Sequence, residues 1–532
     1  QRAQALAALP EKPLDLLVIG GGIVGAGIVR DAAMRGLRVA LVEQHDFAFG
    51  TSSRSSRLLH GGIRYLAQGR VGLVHEASVE KKIIHEIAPH LAAPLPFLFP
   101  TYRANKEWLL WKLKIGVKIY DLLCSGKNLG KSSWLGTRET LQQAPGLSPD
   151  GLTGAVRYFD GLTNDARLVL DTLRSAAHHG AVLANYCRFL DATRTNRNSA
   201  ARSQVELVNR DSAQDFKKSD DHSPSPGGEG WGEGESCSLW RCTASNILAG
   251  TNLTFLTKTI VNAAGPWADH LPHSRVKLRL AKGVHLVVDR ARISTPDTVV
   301  MTEGKRILFA IPWGERTILG TTDTDYDGSL DRIFADATDI RYILEITNRF
   351  FPGANLSETD VISSWAGVRP LIADPHGSPS DISRSHQIRN PEPGWWDVAG
   401  GKLTTYRLMA EQTVDQIVHA LIRTDSSSEF RPCRTAKEPL LPTAETRGIS
   451  DILPPDFSRD IVKHFCENEW AAHLDDVMVR RAGWHYYYQD ADARARQVAS
   501  WMKEFLEWPD EVLAEEIKRY HDLTGKDDAH GT

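Results

Sequence analysis

The stretch "SSRSSRLLHGGIRYL", Ser52 to Leu66, crowds three arginines, four serines and a His-Gly-Gly tripeptide into fifteen residues with few apolar positions to bury. Those residue types suit an anion held beside a reactive centre. Guanidinium groups bind two oxygens in one plane, and hydroxyls donate to phosphate. An unperturbed imidazole titrates near neutrality, so His60 is a candidate to take a proton from an alcohol; a structural histidine bonded to the loop backbone is the other reading, and both stand open. Gly61 and Gly62 leave the backbone room against a flat ligand.

A segment of this kind needs a scaffold, and one precedes it. "DLLVIGGGIVGAGIVRDAAMRGLRVALVE" reads as strand, glycine turn, helix, strand. Leu16 to Ile19 is a short continuous apolar run of the kind a buried parallel strand carries. Gly20, Gly22 and Gly25 give G-x-G-x-x-G: one glycine for the tight turn, one for approach of a pyrophosphate, one for close packing of helix on strand. The helix N-terminus then offers free N–H groups to the phosphates. A second strand, Val39 to Val42, ends in Glu43, whose carboxylate can accept from ribose hydroxyls. Together these features predict an ADP-containing dinucleotide.

Three further pieces favour a flavin over a nicotinamide. After the second strand, Thr51, Ser52, Ser55 and Arg57 are placed to serve cofactor phosphates. "TIVNAAGPWADHL" is a strand ending in small residues and a Gly-Pro turn at Gly265, where a planar ring can lie close to the backbone. "VAGGKLTTYRLMAEQTV" is another strand–glycine–helix transition, in which Gly401, Leu403 and Thr404 precede a helix whose N-terminus can face a ring carbonyl.

With these pieces in place the chain resembles the FAD-dependent glycerol-3-phosphate dehydrogenase family, which has the D-amino-acid-oxidase-like fold. The resemblance is carried by "TSSRSSRLLHGGIRYL", "DGLTNDARLVL", "VNAAGPWAD", "KGVHLVV", "LGTTDTDYDG", "WAGVRPL" and "GGKLTTYR", spread in order from about Leu14 to Met409. It implies FAD as cofactor and oxidation of sn-glycerol 3-phosphate to dihydroxyacetone phosphate by hydride transfer to the flavin, with electrons passed to a membrane quinone. The family's substrate-binding arginines fall on Arg64, Arg369 and, in the looser context "SPSDISR", Arg384. Its substrate lysine falls on Lys402 and a substrate contact on Tyr65. His60, Arg64, Arg369 and Lys402 are then the expected catalytic group, and no metal is expected. His285 in "KGVHLVV" is either a site residue or a half-buried strand histidine. A glycerol-3-phosphate oxidase using oxygen remains an alternative, as does an amino-acid or sarcosine-type oxidase of the same fold.

The expected fold class is α/β: a Rossmann-like FAD-binding domain (14–100, 150–270 and 361–410), an antiparallel-sheet substrate domain (271–360) and a C-terminal α-helical domain (411–532). A net charge of −3 argues against a nucleic-acid binder, and scattered cysteines without metal-ligand spacing suit a reducing, cytosolic setting. Asn196 to Ser238 is rich in Ser, Gly, Pro and charge, so a flexible insertion at a hairpin tip is expected. Residues 101–149 contain a basic amphipathic segment: from Tyr102 to Lys131, lysines interleave with Trp108, Trp111, Ile115, Ile119 and Leu122. It reads equally as a surface helix or as an interfacial membrane helix. The resemblance favours peripheral attachment through 102–131 at the cytoplasmic face of the inner membrane, or a cytoplasmic location, and leaves a homodimer open.

Overall fold

The computed structural model describes residues 2–67, 69–123, 129–195, 239–372 and 386–525. The insertion at 196–238 and Arg384 lie outside the described residues, as does the side chain of Arg64.

After a short helix α1 (Arg2–Ala8), the chain builds one half of the molecule on an eight-stranded sheet. Six of its strands are β1 (Leu14–Ile19), β2 (Val39–Val42), β7 (Val182–Ala184), β10 (Thr251–Asn262), β17 (His386–Glu392) and β18 (Trp395–Gly400), in the order β17-β18-β10-β1-β2-β7. β1 pairs in parallel with β2 and β10, which is why it is apolar at nearly every position: both of its faces are covered. Leu16, Val18, Val39 and Leu41 face helices α2 (Ile23–Met34), α7 (Asp165–His178) and Tyr406–Thr424. Leu17, Ile19, Ala40 and Val42 face β8 (Cys187–Thr195) and β9 (Leu239–Asn246), which join the antiparallel extension of β10. Thr195 pairs with Leu239, so the insertion leaves and re-enters at one hairpin end.

A ten-stranded sheet, almost wholly antiparallel, faces this half. It takes β11 (Leu278–Asp289), β12 (Thr298–Glu303), β13 (Arg306–Trp313), β14 (Arg316–Gly320) and β15 (Thr324–Asp325) from the segment expected to form it. It also takes β3 (Leu58–Leu59), β4 (Ala93–Tyr102), β5 (Ser133–Leu135), β6 (Leu152–Leu162) and β16 (Val361–Ile372), which corrects the expected boundaries. β4 runs antiparallel to β6 from Ala93↔Leu162 to Tyr102↔Leu152, and β16 covers the length of β11. Short apolar strands read alike in either sheet; only pairing across some two hundred residues, Thr298 with Phe97, assigns them.

Helices α3 (Ile63–Ala67), α4 (Val71–Ile87) and α5 (Leu110–Leu123) lie between β3 and β5, with α6 (Thr137–Gln143) following. The C-terminal helices Arg459–Asn468, Ala491–Leu506 and Asp510–Thr524 share a core of Val462, Phe465, Leu474, Trp484, Val498, Met502 and Tyr520. That unit begins later than residue 411, because the helix Tyr406–Thr424 packs on α2 instead. Buried ion pairs tie it to the nucleotide half: Arg480 and Arg481 to Asp46, and Glu469 to Arg167 at 2.6 Å.

Candidate active site

The glycine turn is built as its spacing predicts. Gly20 has φ +108°, and a Cβ there would fall 2.6 Å from the Ala263 carbonyl oxygen. A Cβ on Gly25 would fall 1.9 Å from the Gly20 carbonyl oxygen, so Gly25 serves helix–strand contact behind the site. Gly22 caps α2, and Ser52 Oγ accepts the Ile23 N–H at 3.0 Å, leaving the helix N-terminus framed by a hydroxyl. The Glu43 carboxylate accepts the N–H groups of Gly21 (2.7 Å) and His45 (2.8 Å), and its burial raises its pKa.

One cavity of about 430 Å³ joins this turn to the second sheet. Gly20, Gly22, Glu43, Thr51, Ser52, Ser55, Gly265, Gly401, Leu403 and Thr404 line it, together with His60, Tyr65, Arg369 and Lys402. Thr51 Oγ1 donates to the Val368 carbonyl at 2.5 Å, binding the nucleotide half to β16 across the cavity floor. Gly400 and Gly401 both take positive φ, and a Cβ on Gly401 would meet Met409 Sδ at 2.4 Å; a side chain at that turn is excluded. The backbone donors, the ribose-side carboxylate and the small residues at 263–265 and 400–401 fit FAD in charge and in flatness.

Cations gather at the other end. Arg369 on β16 is fixed before any ligand arrives: Nη1 lies 3.2 Å from Asp323 and donates to the Thr322 carbonyl, while Nη2 donates to Thr321 Oγ1 at 3.1 Å. Its guanidinium lies where a Cβ on Gly283 would be, 2.4 Å from Nη2, so the glycine of "KGVHLVV" makes room for it. Lys402 Nζ sits 4.0 Å over the Tyr65 ring and donates to the Gly61 carbonyl at 3.4 Å. The His60 N–H donates to Thr404 Oγ1 at 3.0 Å, and that hydroxyl reaches back to the His60 carbonyl.

His285 resolves as a buried wall residue. Its Nε2 pairs with Ser56 Oγ at 2.8 Å and its ring stacks on Trp365 at 5.1 Å. Burial first, then Arg369 and Arg57, push its pKa down to about 3, so it is neutral at physiological pH.

Arg57 is a correction. Its guanidinium does not reach the cofactor cavity; it lies over Trp313 (4.3 Å) and Trp365 (5.2 Å), with Tyr486 at 5.9 Å and Asp165 at 3.9 Å. A φ of +57° turns it into the contact between the second sheet and the C-terminal helices. The repeated Ser-Ser-Arg pattern carries no signal for that reversal. Arg54, singled out for no role by the sequence, does line the cavity, and its buried Nη1 has no hydrogen-bond partner among the described residues. Asp160, Tyr158, Trp267 and Asp323 also line the wall; all but Tyr158 stand inside the quoted motifs, yet the sequence assigns none of them a role.

A parallel nucleotide-binding half set against an antiparallel sheet, with the cofactor cavity between them, defines a flavoprotein oxidoreductase. The chain belongs to the DAO family of FAD dependent oxidoreductases, which it matches over residues 15–416. It is 36% identical over 428 residues to the aerobic glycerol-3-phosphate dehydrogenase of Staphylococcus aureus, covering 79% of this chain and 70% of that protein. The FAD-complexed glycerol-3-phosphate dehydrogenase from Bacillus halodurans superposes with a TM-score of 0.69 at 28% identity, over 99% of this chain and 96% of the other. The L-alpha-glycerophosphate oxidase of Mycoplasma pneumoniae shares the fold, with a TM-score of 0.58 at 16% identity over 81% and 99%. Within the family, then, the chain is one of the glycerol-3-phosphate dehydrogenase/oxidase flavoproteins.

Proposed function

We propose that the protein oxidises sn-glycerol 3-phosphate to dihydroxyacetone phosphate and delivers the electrons to a membrane quinone. The observation that carries this reading is the pairing of Arg369 and Lys402, from opposite sheets, in the wall of the same cavity as the dinucleotide turn. A dianionic phosphate is held by a planar fork and a point charge, which also fixes the secondary alcohol relative to the cofactor. FAD, held by the Gly20–Gly22 turn, Glu43 and the turn at Gly401–Thr404, would supply the hydride acceptor for the carbinol carbon. His60 takes the hydroxyl proton on its ring as the C–O bond becomes a carbonyl. Tyr65 orients Lys402 by lying beneath its ammonium. Arg64 and Arg384 remain assigned to the phosphate by resemblance.

The acceptor reading is supported by α5. Leu113, Val117 and Tyr120 are buried, whereas Trp111, Ile115, Ile119 and Leu122 are exposed, Leu122 at 76%. Lys114 and Lys118 stand beside exposed Trp134 at 5.6 and 5.3 Å, and Lys112 lies beside Trp111. An apolar stripe edged by lysines fits an anionic bilayer surface. Trp108, expected on that stripe, is instead buried with its indole N–H on the Gly304 carbonyl. Among the described residues no helix is long and apolar enough to cross a membrane.

Anaerobic addition of glycerol 3-phosphate tests the reaction: the bound flavin bleaches. A flavin that stays oxidised, while other polyol phosphates or amino acids reduce it, rejects the substrate.

A further inference from the structure

We propose that Tyr120, reaching inward from α5, is a positioning residue for the His60–Gly61–Gly62 loop, with Asp160 and Lys81 fixing the direction of its hydroxyl. The proposal rests on the reading that His60 and Lys402 serve the oxidation described above.

Tyr120 is fully buried, and its hydroxyl accepts the Gly61 N–H at 3.0 Å while donating to Asp160 Oδ1 at 2.5 Å. Asp160 in turn pairs with Lys81 Nζ at 2.8 Å, and neither side chain is more than 3% exposed. An ionised carboxylate only accepts, so the phenol proton points to Asp160 and a phenol lone pair is left facing Gly61. A buried ion pair is an uneconomical way to stabilise a fold, because the desolvation of two charges offsets their attraction. This one has a specific geometric consequence: it locks the phenol in the orientation that holds one loop amide.

The loop is shaped to receive that hydroxyl. A Cβ on Gly61 would lie 2.5 Å from Tyr120 Oη, 2.8 Å from its Cε2 and 3.0 Å from Ser78 Oγ. The first glycine of His-Gly-Gly therefore answers to Tyr120, while a Cβ on Gly62, which lines the cavity, would meet the Tyr65 ring at 2.5 Å. From the cavity side the same peptide units bind Lys402, through the Gly61 carbonyl, and Thr404, through the His60 N–H. Gly61 thus takes a donor on its carbonyl from one side and presents its N–H to the other. Release of the Tyr120 end lets His60 and the Lys402 contact drift together.

The test uses flavin-loaded, full-length Tyr120→Phe, with Tyr102→Phe as control; Tyr102 donates its hydroxyl to the Ser148 carbonyl, away from the cavity. Hydrogen–deuterium exchange of the segment 58–66 is measured beside the anaerobic rate of flavin reduction by glycerol 3-phosphate. Loss of one hydrogen bond from a buried amide should speed exchange there by about 10-fold, leave β1 unchanged, and slow flavin reduction by about 10-fold. The control should match wild type in both. Wild-type exchange at 58–66 in Tyr120→Phe overturns the tether. Faster exchange with wild-type reduction overturns its bearing on the chemistry, and a uniform rise across all segments shows a folding role instead. Should that variant fail to retain flavin, Asp160→Asn keeps the phenol but removes the charge that orients it. A reduction rate at least about 3-fold slower with faster local exchange supports the proposal, and unchanged values overturn it. If wild-type flavin is not reduced by glycerol 3-phosphate at all, the substrate reading fails, while the exchange result still decides the tether.

Discussion

Replacing Arg369 with Ala removes a preset anion fork, and its cost can be worked from the surroundings. The guanidinium is 23% exposed and already held by Asp323, Thr321 and Thr322, so little ordering is left for the substrate to impose. Truncating one partner of a buried charged pair costs roughly 2–5 kcal/mol. Partial exposure puts this residue near the lower end, about 2–3 kcal/mol, with Asp323 left facing the incoming dianion. At about 1.4 kcal/mol per decade, kcat/KM should fall about 30- to 150-fold. The phosphate is remote from the reacting carbon, so most of the loss belongs in KM. Arg369→Lys keeps the charge without the fork and should lose only about 10-fold. Gly283→Ala, whose methyl would occupy the guanidinium's place, should behave as a partial Arg369 lesion. Steady-state kinetics with a soluble dye acceptor, normalised to bound flavin, measure all three. A KM within about 2-fold of wild type in fully flavin-loaded Arg369→Ala removes this residue from phosphate binding.

Three further outcomes are expected. His285 is held at about 3, against about 6.5 in the unfolded chain, so the unfolded state binds its proton first as pH falls. Stability is therefore lost below the unfolded pKa, by about 2 kcal/mol between pH 7 and 5 for this group. Denaturant titrations should show His285→Gln losing less over that interval, and equal losses refute the assignment. Arg57→Ala empties a cage of Trp313, Trp365 and Tyr486 and strands Asp165; it should cost roughly 2–4 kcal/mol of stability with KM unchanged, and a raised KM at full stability would return Arg57 to the cofactor. Replacing Lys112, Lys114 and Lys118 with Glu should abolish sedimentation with anionic vesicles without loss of flavin; retained sedimentation rejects α5 as the docking face.

The nucleotide turn was readable because everything it needs is local: strand, three glycines, helix and Glu43 lie within thirty residues. Arg369 and Lys402 could be named from short motifs, but Gly283 and Asp323, which hold Arg369 in place, could not, since they meet it only through the pairing of β11 with β16 and the turn after β14. Arg54 and Arg57 illustrate the limit most directly. They stand three residues apart in the same Ser-rich run, yet one lines the cavity and the other is enclosed by aromatic rings, because a single positive φ reverses the chain. The glycines after His60 mark the loop, but their protein neighbours cannot be read from the sequence. Their partners are a tyrosine fifty-nine residues downstream and the ring of Tyr65. Most of β4 and all of β6 fall within the expected nucleotide-domain bounds yet pair in the second sheet, because their register is set by partners distant in sequence.

A crystal structure of the FAD-loaded protein with glycerol 3-phosphate bears most directly on the cationic clamp. The expected density places phosphate oxygens about 2.7–2.9 Å from the Arg369 guanidinium, with Lys402 Nζ on the same group and the carbinol carbon against the flavin. A phosphate seated elsewhere, with none of its oxygens on Arg369, contradicts it.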